Sequence, residues 1–160
     1  MADPQVREAN SEDEEGIYSL ARELAAAVGD SPPTRKSVRT RFEELREEPR
    51  AFTLVAEGEG GISGVVSFWI KPDLAHGDVV VEVPMLVVAE EHRRAGVGKL
   101  LVEEVRRQAS GHEATVIELI ATGDNTTARE FYRSLGFVET DHVALEFMGD
   151  LHDPPESEEK

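Results

Sequence analysis

Two arginines at 93–94 stand directly before a pair of glycines, Gly96 and Gly98, where a helical apolar pattern begins. The N-terminus of a helix carries unpaired backbone N–H groups and a partial positive charge, so it attracts anions. Glycine at such a place lets a ligand approach the backbone closely. The order strand, Gly-x-Gly, helix therefore indicates a binding site for an anion such as a diphosphate. A plain strand-to-helix turn accounts for the glycines equally well.

Two common phosphate-binding motifs do not fit this turn. A P-loop requires serine or threonine after its lysine, and Leu100 follows Lys99 here. A dinucleotide fingerprint requires a third glycine three residues after Gly98, and Leu101 occupies that position. The residues therefore predict an anion site of another kind.

The chain is strongly acidic, with 33 aspartates and glutamates against 17 lysines and arginines and a formal net charge of -16 in 160 residues. Such a surface is unfavourable for nucleic acids and favours cationic ligands such as amines. The acidity fits either a high-salt cytoplasm or the bias of a GC-rich genome. The lack of cysteine excludes disulfides, thiolate metal sites and a cysteine nucleophile, and we expect no metal site. No segment has the pattern of a signal peptide or a membrane span, so we expect a cytoplasmic protein.

The apolar patterns predict an α/β fold on a mixed sheet, with elements in the order β-α-α-β-β-β-α-β-α-β. The predicted strands are residues 5–9, 51–57, 62–70, 79–88, 114–121 and 142–148. The predicted helices run from a capping box of Ser11 and Glu14 to Gly29, over 34–48, from Val97 past Val105, and over 125–135. Residues 71–78 between the third and fourth strands are predicted to form a loop.

Strand 79–88 is almost wholly apolar, as expected of a central strand, but Glu82 and Pro84 interrupt it. Proline removes a ladder hydrogen bond and is confined to irregularities such as a bulge. We therefore expect this strand to part from a neighbour near Pro84. The charge of Glu82 suits a general base in a cleft, and a glutamate that faces solvent explains it equally well.

Two motifs resemble those of the GNAT acyltransferase superfamily. Arg93-x-x-Gly96-x-Gly98 is similar to its Arg/Gln-x-x-Gly-x-Gly/Ala signature. The stretch NTTAREFYRSLGF is similar to a second recurrent block, whose members here are Asn125, Ala128, Phe131, Tyr132, Gly136 and Phe137. The resemblance covers residues 5–148 and implies a mixed central sheet with a splay between the fourth and fifth strands, flanked by about four helices. It predicts one acetyltransferase domain over 1–148 and an acidic tail over 149–160, which we expect to be disordered.

In such proteins the glycine turn binds the pyrophosphate of acetyl-CoA, so the resemblance implies acetyl-CoA as co-substrate. The implied binding residues are Leu86, Val87 and Val88, whose strand would pair with the pantetheine arm, then Arg93, Arg94, Gly96, Val97, Gly98 and Lys99 in the turn, and Asn125. Only one of the two arginines is expected to touch the ligand. Asn125 fits the N-cap of its helix nearly as well.

Tyr132 matches the general acid of the family, which protonates the departing CoA thiolate, and a core tyrosine is the alternative. Glu82 stands where the histone-type branch of the family places its glutamate base. Glu118 on the next strand, bound water, His92 and His142 are the alternatives for the base.

The resemblance thus implies an N-acetyltransferase that moves an acetyl group from acetyl-CoA to a primary amine by direct attack in a ternary complex. Backbone N–H groups near Val87 or Val88 would hold the oxyanion. The alternative is a non-catalytic acyl-CoA-binding module that regulates a partner, which needs the glycine turn but not Tyr132. The implied acceptor is a small-molecule or peptide amine. Neither nucleic acid nor a membrane is expected as a partner, and a homodimer remains open.

Overall fold

The computed structural model describes residues 3–152, which form a five-stranded sheet with helices on both faces. The strands are β1 (Gln5–Glu8), β2 (Ala51–Gly58), β3 (Gly61–Asp73), β4 (Asp78–Val88) and β5 (Val116–Leu119). The helices are α1 (Glu14–Val28), α2 (Arg35–Glu47), α3 (Val97–Gly111) and α4 (Thr126–Ser134). The strand order follows the chain, and all neighbours are antiparallel except β4 and β5, which are parallel. The predicted mixed α/β fold is confirmed.

The capping box before α1 lies one residue earlier than predicted. Asn10 and Asp13 form it, at a one-turn 3-10 helix that leads into α1, so the predicted pair Ser11 and Glu14 is wrong. The reason is a contact with β1: Asp13 is buried and accepts two hydrogen bonds from the Arg7 guanidinium, at 2.7 and 2.9 Å. The ion pair between Arg7 and Asp13 thus decides which of the two similar capping boxes forms.

The side chains of strand β4 that point to each face of the sheet change at Pro84. Val81 and Val83 pack with α3 on one face of the sheet. Beyond the proline, Met85 and Val87 pack with α1 and α2 on the other face. The register between β3 and β4 shifts at the same place, which is the signature of a β-bulge. The bulge therefore supplies both faces of the sheet with core residues from a single strand.

The predicted splay between the fourth and fifth strands is also observed. The parallel pairs run from Val80 with Val116 to Val83 with Leu119, and they end one residue before Pro84. From there to its end, β4 pairs with β3 alone. A short parallel contact followed by divergence leaves one edge of β4 open.

The predicted sixth strand at 142–148 is wrong for the chain as described. These residues are exposed and pair with no strand within residues 3–152, and β5 is shorter than predicted. Strand β3 is longer, because residues 71–73 continue it instead of opening a loop. Of the predicted acidic tail, residues 153–160 lie outside the described residues. None of the helices within 3–152 is long and apolar enough to cross a bilayer.

Candidate active site

The turn before α3 has an unusual backbone. Gly96 is the N-cap of α3 and has a left-handed conformation, with φ of 80°. Arg94, which has a side chain, also has a positive φ of 66°. This conformation costs a residue other than glycine roughly 1–2 kcal/mol. Two left-handed residues so close together reverse the chain sharply between β4 and α3.

This reversal leaves the amides of Arg94 to Lys99 without acceptors. Within residues 3–152, no backbone or side-chain group accepts a hydrogen bond from any of these N–H groups, and the first such bond is from Leu100 to the Gly96 carbonyl, at 3.1 Å. The first turn of a helix lacks intrahelical acceptors, and the tight turn adds further free donors before it. Such a group of donors at the positive end of a helix dipole suits a phosphate.

The arginines of the turn are free of carboxylates. Seven of the other eleven arginines of this acidic chain pair with aspartate or glutamate, those at 7, 35, 39, 41, 107, 129 and 133, and those at 22, 46, 50 and 106 have no such partner among residues 3–152. In the described part of the chain, neither Arg93 nor Arg94 has such a partner. The Arg93 Nε donates a long hydrogen bond to the Val88 carbonyl, at 3.3 Å, while the Arg94 guanidinium has no hydrogen bond there. Arg94 is therefore the freer of the two for a ligand.

Gly98 has a packing role that the sequence motif does not reveal. A Cβ at this position would lie 2.8 Å from Cζ of Phe131 on α4. A Cβ on Gly96 would contact nothing within 4 Å. The two glycines of the motif therefore have different structural roles: Gly96 permits the backbone turn, and Gly98 lets α4 approach α3.

The end of β4 has an open edge next to the turn. Residues 86–88 pair with Gly64–Val66 of β3 on one side. On the other side their pairing with β5 has already ended at Val83. An open edge presents backbone N–H and C=O groups to an extended ligand, as a further strand would. This is where the predicted pantetheine contacts of Leu86, Val87 and Val88 would lie.

Asn125 is the N-cap of α4, as the alternative interpretation held. Its Oδ1 accepts a hydrogen bond from the Ala128 amide at 3.2 Å. The Nδ2 group makes no hydrogen bond to the described residues and remains a donor. A role as N-cap and a contact with a ligand are therefore compatible.

Tyr132 lies in an aromatic cluster that connects α4 to the turn. Its ring centroid is 5.2 Å from that of Phe131, which abuts Gly98, and 5.6 Å from that of Phe137. Burial raises the pKa of the Tyr132 phenol above its ordinary value of 10.0. None of the described residues hydrogen-bonds with its hydroxyl. The group therefore stays protonated at neutral pH and has a proton to donate.

Glu82 and Glu118 lie side by side. They are register partners on β4 and β5, so their side chains share a face of the sheet. Glu82 is 44% exposed and forms an ion pair with Lys71 of β3, and Trp69 is its register partner on that strand. Lys71 could not be assigned to the site from sequence, because Lys-Pro-Asp has the composition of a loop rather than a strand.

The two histidines considered as bases are placed less favourably. His92 lies in the 3-10 turn after β4, 3.8 Å from Glu91, and is 44% exposed. His142 is exposed in the segment after α4. The structure brings neither of them beside Glu82 in the sheet register.

A small group of potential metal ligands lies at the far end of β4 from the glycine turn. Asp73, His76 and Asp78 have donor atoms within 4.8 Å of one another at the β3–β4 turn. His76 Nδ1 is 2.6 Å from Asp73, whose hydrogen bond raises the pKa of the imidazole, and Asp78 accepts a hydrogen bond from Thr115. These contacts join the two strand ends.

The family comparison gives one clear match. Residues 14–137 match the model of the Acetyltransferase (GNAT) family. The match includes both motifs, the open edge of β4 and the aromatic cluster around Tyr132.

Individual relatives are more distant. A Bacillus subtilis (strain 168) protein assigned as a ribosomal protein bS18-alanine N-acetyltransferase is 27% identical over 131 residues, which are 82% of this chain and 78% of that protein. The crystal structure of a transcriptional regulator from Bacillus halodurans C-125 has a TM-score of 0.81 at 21% identity, over 91% of this chain and 99% of the other. The aminoglycoside N-acetyltransferase AAC(6')-Iy, solved with CoA, has a TM-score of 0.80 at 20% identity, over 92% and 96%.

Proposed function

Because the chain belongs to the Acetyltransferase (GNAT) family and is therefore an acyltransferase, we propose that it transfers an acetyl group from acetyl-CoA to a primary amine. The names of these two relatives point to different amines, an alanine of a ribosomal protein in one and aminoglycosides in the other. The proposed acceptor is a small-molecule or peptide amine, and the proposed route is direct attack within a ternary complex. No acyl-enzyme is needed, and the chain has no cysteine to form a thioester.

The observation that carries this proposal is the row of unpaired amides from Arg94 to Lys99. These donors would bind the pyrophosphate of acetyl-CoA at the N-terminus of α3. The free guanidinium of Arg94 would add charge at the same place. A diphosphate is one of few ligands that could satisfy several adjacent N–H groups at once.

The open edge of β4 would align the rest of the co-substrate. Backbone groups of residues 86–88 would pair with the amides of the pantetheine arm. An N–H of Val87 or Val88 would then stabilise the oxyanion that forms when the amine attacks the thioester carbonyl. In other acyl-transfer sites, one such hydrogen-bond donor lowers the activation free energy by about 3 kcal/mol.

Two side chains would move the protons. Glu82 would accept the proton that the attacking amine loses, and Tyr132 would donate one to the sulfur as the C–S bond breaks. Glu82 precedes Leu86 by four residues, about 13 Å along a regular strand and less across a bulge. We therefore infer that water relays the proton to Glu82. Glu118 beside it would help to hold the acceptor ammonium before transfer.

A thiol-release assay with acetyl-CoA and a panel of amines tests this proposal. Turnover with an alanine-terminated peptide, an aminoglycoside or a polyamine would support it and would identify the acceptor class. Acetyl-CoA binding without turnover on any amine would instead indicate a regulatory module.

Variants of the two proton-transfer residues test the mechanism. Tyr132→Phe keeps the ring and should lower turnover about 10²- to 10⁴-fold with little change in acetyl-CoA affinity. Glu82→Gln should lower the rate at neutral pH and lose its penalty at high pH, where the amine deprotonates unaided. Glu118→Gln is the variant for comparison: it removes the neighbouring carboxylate on the same face and should raise the KM for the amine without changing the pH profile. A larger loss of turnover in Glu118→Gln than in Glu82→Gln would assign the general base to Glu118 instead of Glu82.

A further inference from the structure

Half of the sheet face that α1 and α2 pack against lies outside the core that these helices cover. Within residues 3–152, that core includes Met85 and Val87 of β4 but no residue of the strand before Pro84. Ile70 and Val81 point to α3 on the opposite face, so their sequence neighbours point away from α3. We call this uncovered half the open face. It consists of Trp69, Lys71, Asp73, Asp78, Val80, Glu82, Val116 and Glu118.

The register arranges the open face in three rows across the strands. The first row is Trp69, Glu82 and Glu118, the second is Lys71, Val80 and Val116, and the third is Asp73 and Asp78. Four carboxylates thus surround two valines, and Lys71 is the one lysine or arginine of the open face. A surface of this composition favours a cation that also has an apolar part.

The first row has a tryptophan beside its two carboxylates. Trp69 is the single tryptophan of the chain, is partly exposed and belongs to neither core cluster of the described residues. The face of a tryptophan ring attracts a cation, and the neighbouring carboxylates of Glu82 and Glu118 attract it further. The row therefore has the composition of an ammonium-binding site.

Lys71 already places an ammonium in this row. Its Nζ forms an ion pair with Glu82, its diagonal neighbour across β3 and β4, which a long side chain can reach. Both side chains are exposed, so water and salt screen the pair and it contributes little to stability. Glu118, the other carboxylate of the row, is exposed and has no ion pair among residues 3–152. A second ammonium can therefore replace that of Lys71 at small cost.

We propose that Lys71 is an internal competitor of the acceptor: the acceptor amine docks as an ammonium in the first row and displaces Lys71 from Glu82. This inference rests on the proposed acetyl transfer. Docking precedes the transfer of the proton from the ammonium to Glu82. A lysine ammonium that stayed on Glu82 would oppose that transfer, whereas the acceptor becomes neutral as it gives its proton up. Displacement of Lys71 thus prepares Glu82 for its role as base.

The shape of Lys71 indicates which class of amine fits its place. The lysine side chain is a primary ammonium on an unbranched alkyl stem. A linear alkylammonium can do the same, with its methylene groups on the partly exposed Val80 and Val116 of the second row. An α-amino group instead has a carbonyl two bonds away, which would lie among the carboxylates of the open face. The inferred acceptor is therefore a linear alkylamine, such as the lysine side chain of a peptide.

The fluorescence of Trp69 tests docking without turnover, because no other tryptophan contributes to the emission. The probes are Nα-acetyllysine amide, with an ammonium on an alkyl chain, and alaninamide, with an α-ammonium. Each is titrated into the full chain at neutral pH in dilute buffer. The lysine probe should bind at least about tenfold more tightly, a factor that corresponds to burial of two CH₂ groups. Equal affinities, a preference for alaninamide, or constant emission with both probes would overturn the proposal.

Substitutions of Lys71 test the competition itself. Lys71→Met keeps an unbranched stem and removes the competitor, so it should lower the Kd and KM for the lysine probe about two- to fivefold in dilute buffer and less in molar KCl. Lys71→Arg should raise both, because a guanidinium binds a carboxylate through two hydrogen bonds. Lys36→Met is the matched control: Lys36 is exposed on α2, and its loss changes the net charge equally. An unchanged or higher Kd in Lys71→Met would show that Lys71 does not compete.

A failure of the proposed acetyl transfer would give a different result. Neither probe would then be acetylated, although Lys71→Met still tightens the binding measured by fluorescence, and the docked amine would not be an acceptor. If the probes are acetylated while Lys71→Met and Lys36→Met bind them alike, acetyl transfer stands and the competition is refuted.

Discussion

Replacement of Gly98 by alanine tests whether this glycine serves packing between α3 and α4. The added Cβ would lie 2.8 Å from Phe131 Cζ and 3.3 Å from the adjacent Cε2. Carbon atoms in contact prefer about 3.5–4.0 Å, so the ring or the whole of α4 must move. Overpacking of this kind costs typically 1–3 kcal/mol. Alanine in place of helical glycine returns up to about 1 kcal/mol. We therefore expect Gly98→Ala to lower the free energy of unfolding by about 0–3 kcal/mol.

The sign of this effect should reverse when the ring is removed. In a Phe131→Leu background the steric conflict is gone and only the helix preference remains. Gly98→Ala should then raise the free energy of unfolding by up to about 1 kcal/mol. The two positions should show a coupling energy of about 1–3 kcal/mol in a double-mutant cycle, measured by urea unfolding. Equal effects of Gly98→Ala in both backgrounds would refute the packing role.

Three further predictions concern pH and salt. The hydrogen bonds from Arg7 lower the pKa of Asp13 below its ordinary 3.8, so their stabilisation is complete above that value and is lost as the pH falls through the lower folded pKa. Urea unfolding from pH 2 to 6 should show this loss, and Asp13→Asn should flatten it; an unchanged acid limb would contradict the role of the pair. The melting temperature should rise from dilute buffer to molar KCl as repulsion among the acidic groups is screened, and a flat curve would assign the acidity to genome composition. Burial raises the pKa of Tyr132, so acetyl transfer should retain its proton donor until above pH 10, and a decline in rate at neutral pH would assign the acid to another group.

The elements that could be predicted from the sequence are those with local signals. The helices α1 to α4 each show a 3.6-residue apolar period, and the side chains of Thr34 and Asn125 cap α2 and α4. Pro84 indicated the bulge and the end of the β4–β5 contact, because proline cannot donate to the ladder. Gly96 likewise indicated the turn before α3, because glycine readily adopts the left-handed conformation found there.

The features that could not be predicted depend on contacts between side chains of different elements. Arg7 fixes Asp13 and thereby moves the first cap, and Phe131 explains Gly98. Residues 142–148 have the alternation of a strand, but alternation alone does not say whether a neighbouring strand is in reach. The ion pair of Lys71 with Glu82 was missed for a related reason, because it depends on how far β3 continues.

The most direct test of acetyl-CoA binding at the turn is an NMR titration of the nitrogen-15-labelled protein with acetyl-CoA. The backbone amide signals of Arg94 to Lys99, which lack acceptors in the described chain, should shift saturably as the pyrophosphate binds. At a hundred times the dissociation constant, the ligand should also raise the free energy of unfolding by about 2.7 kcal/mol. If acetyl-CoA saturates the protein while these amide signals remain unchanged, or if it does not bind, the assignment of the turn as the acetyl-CoA site is contradicted.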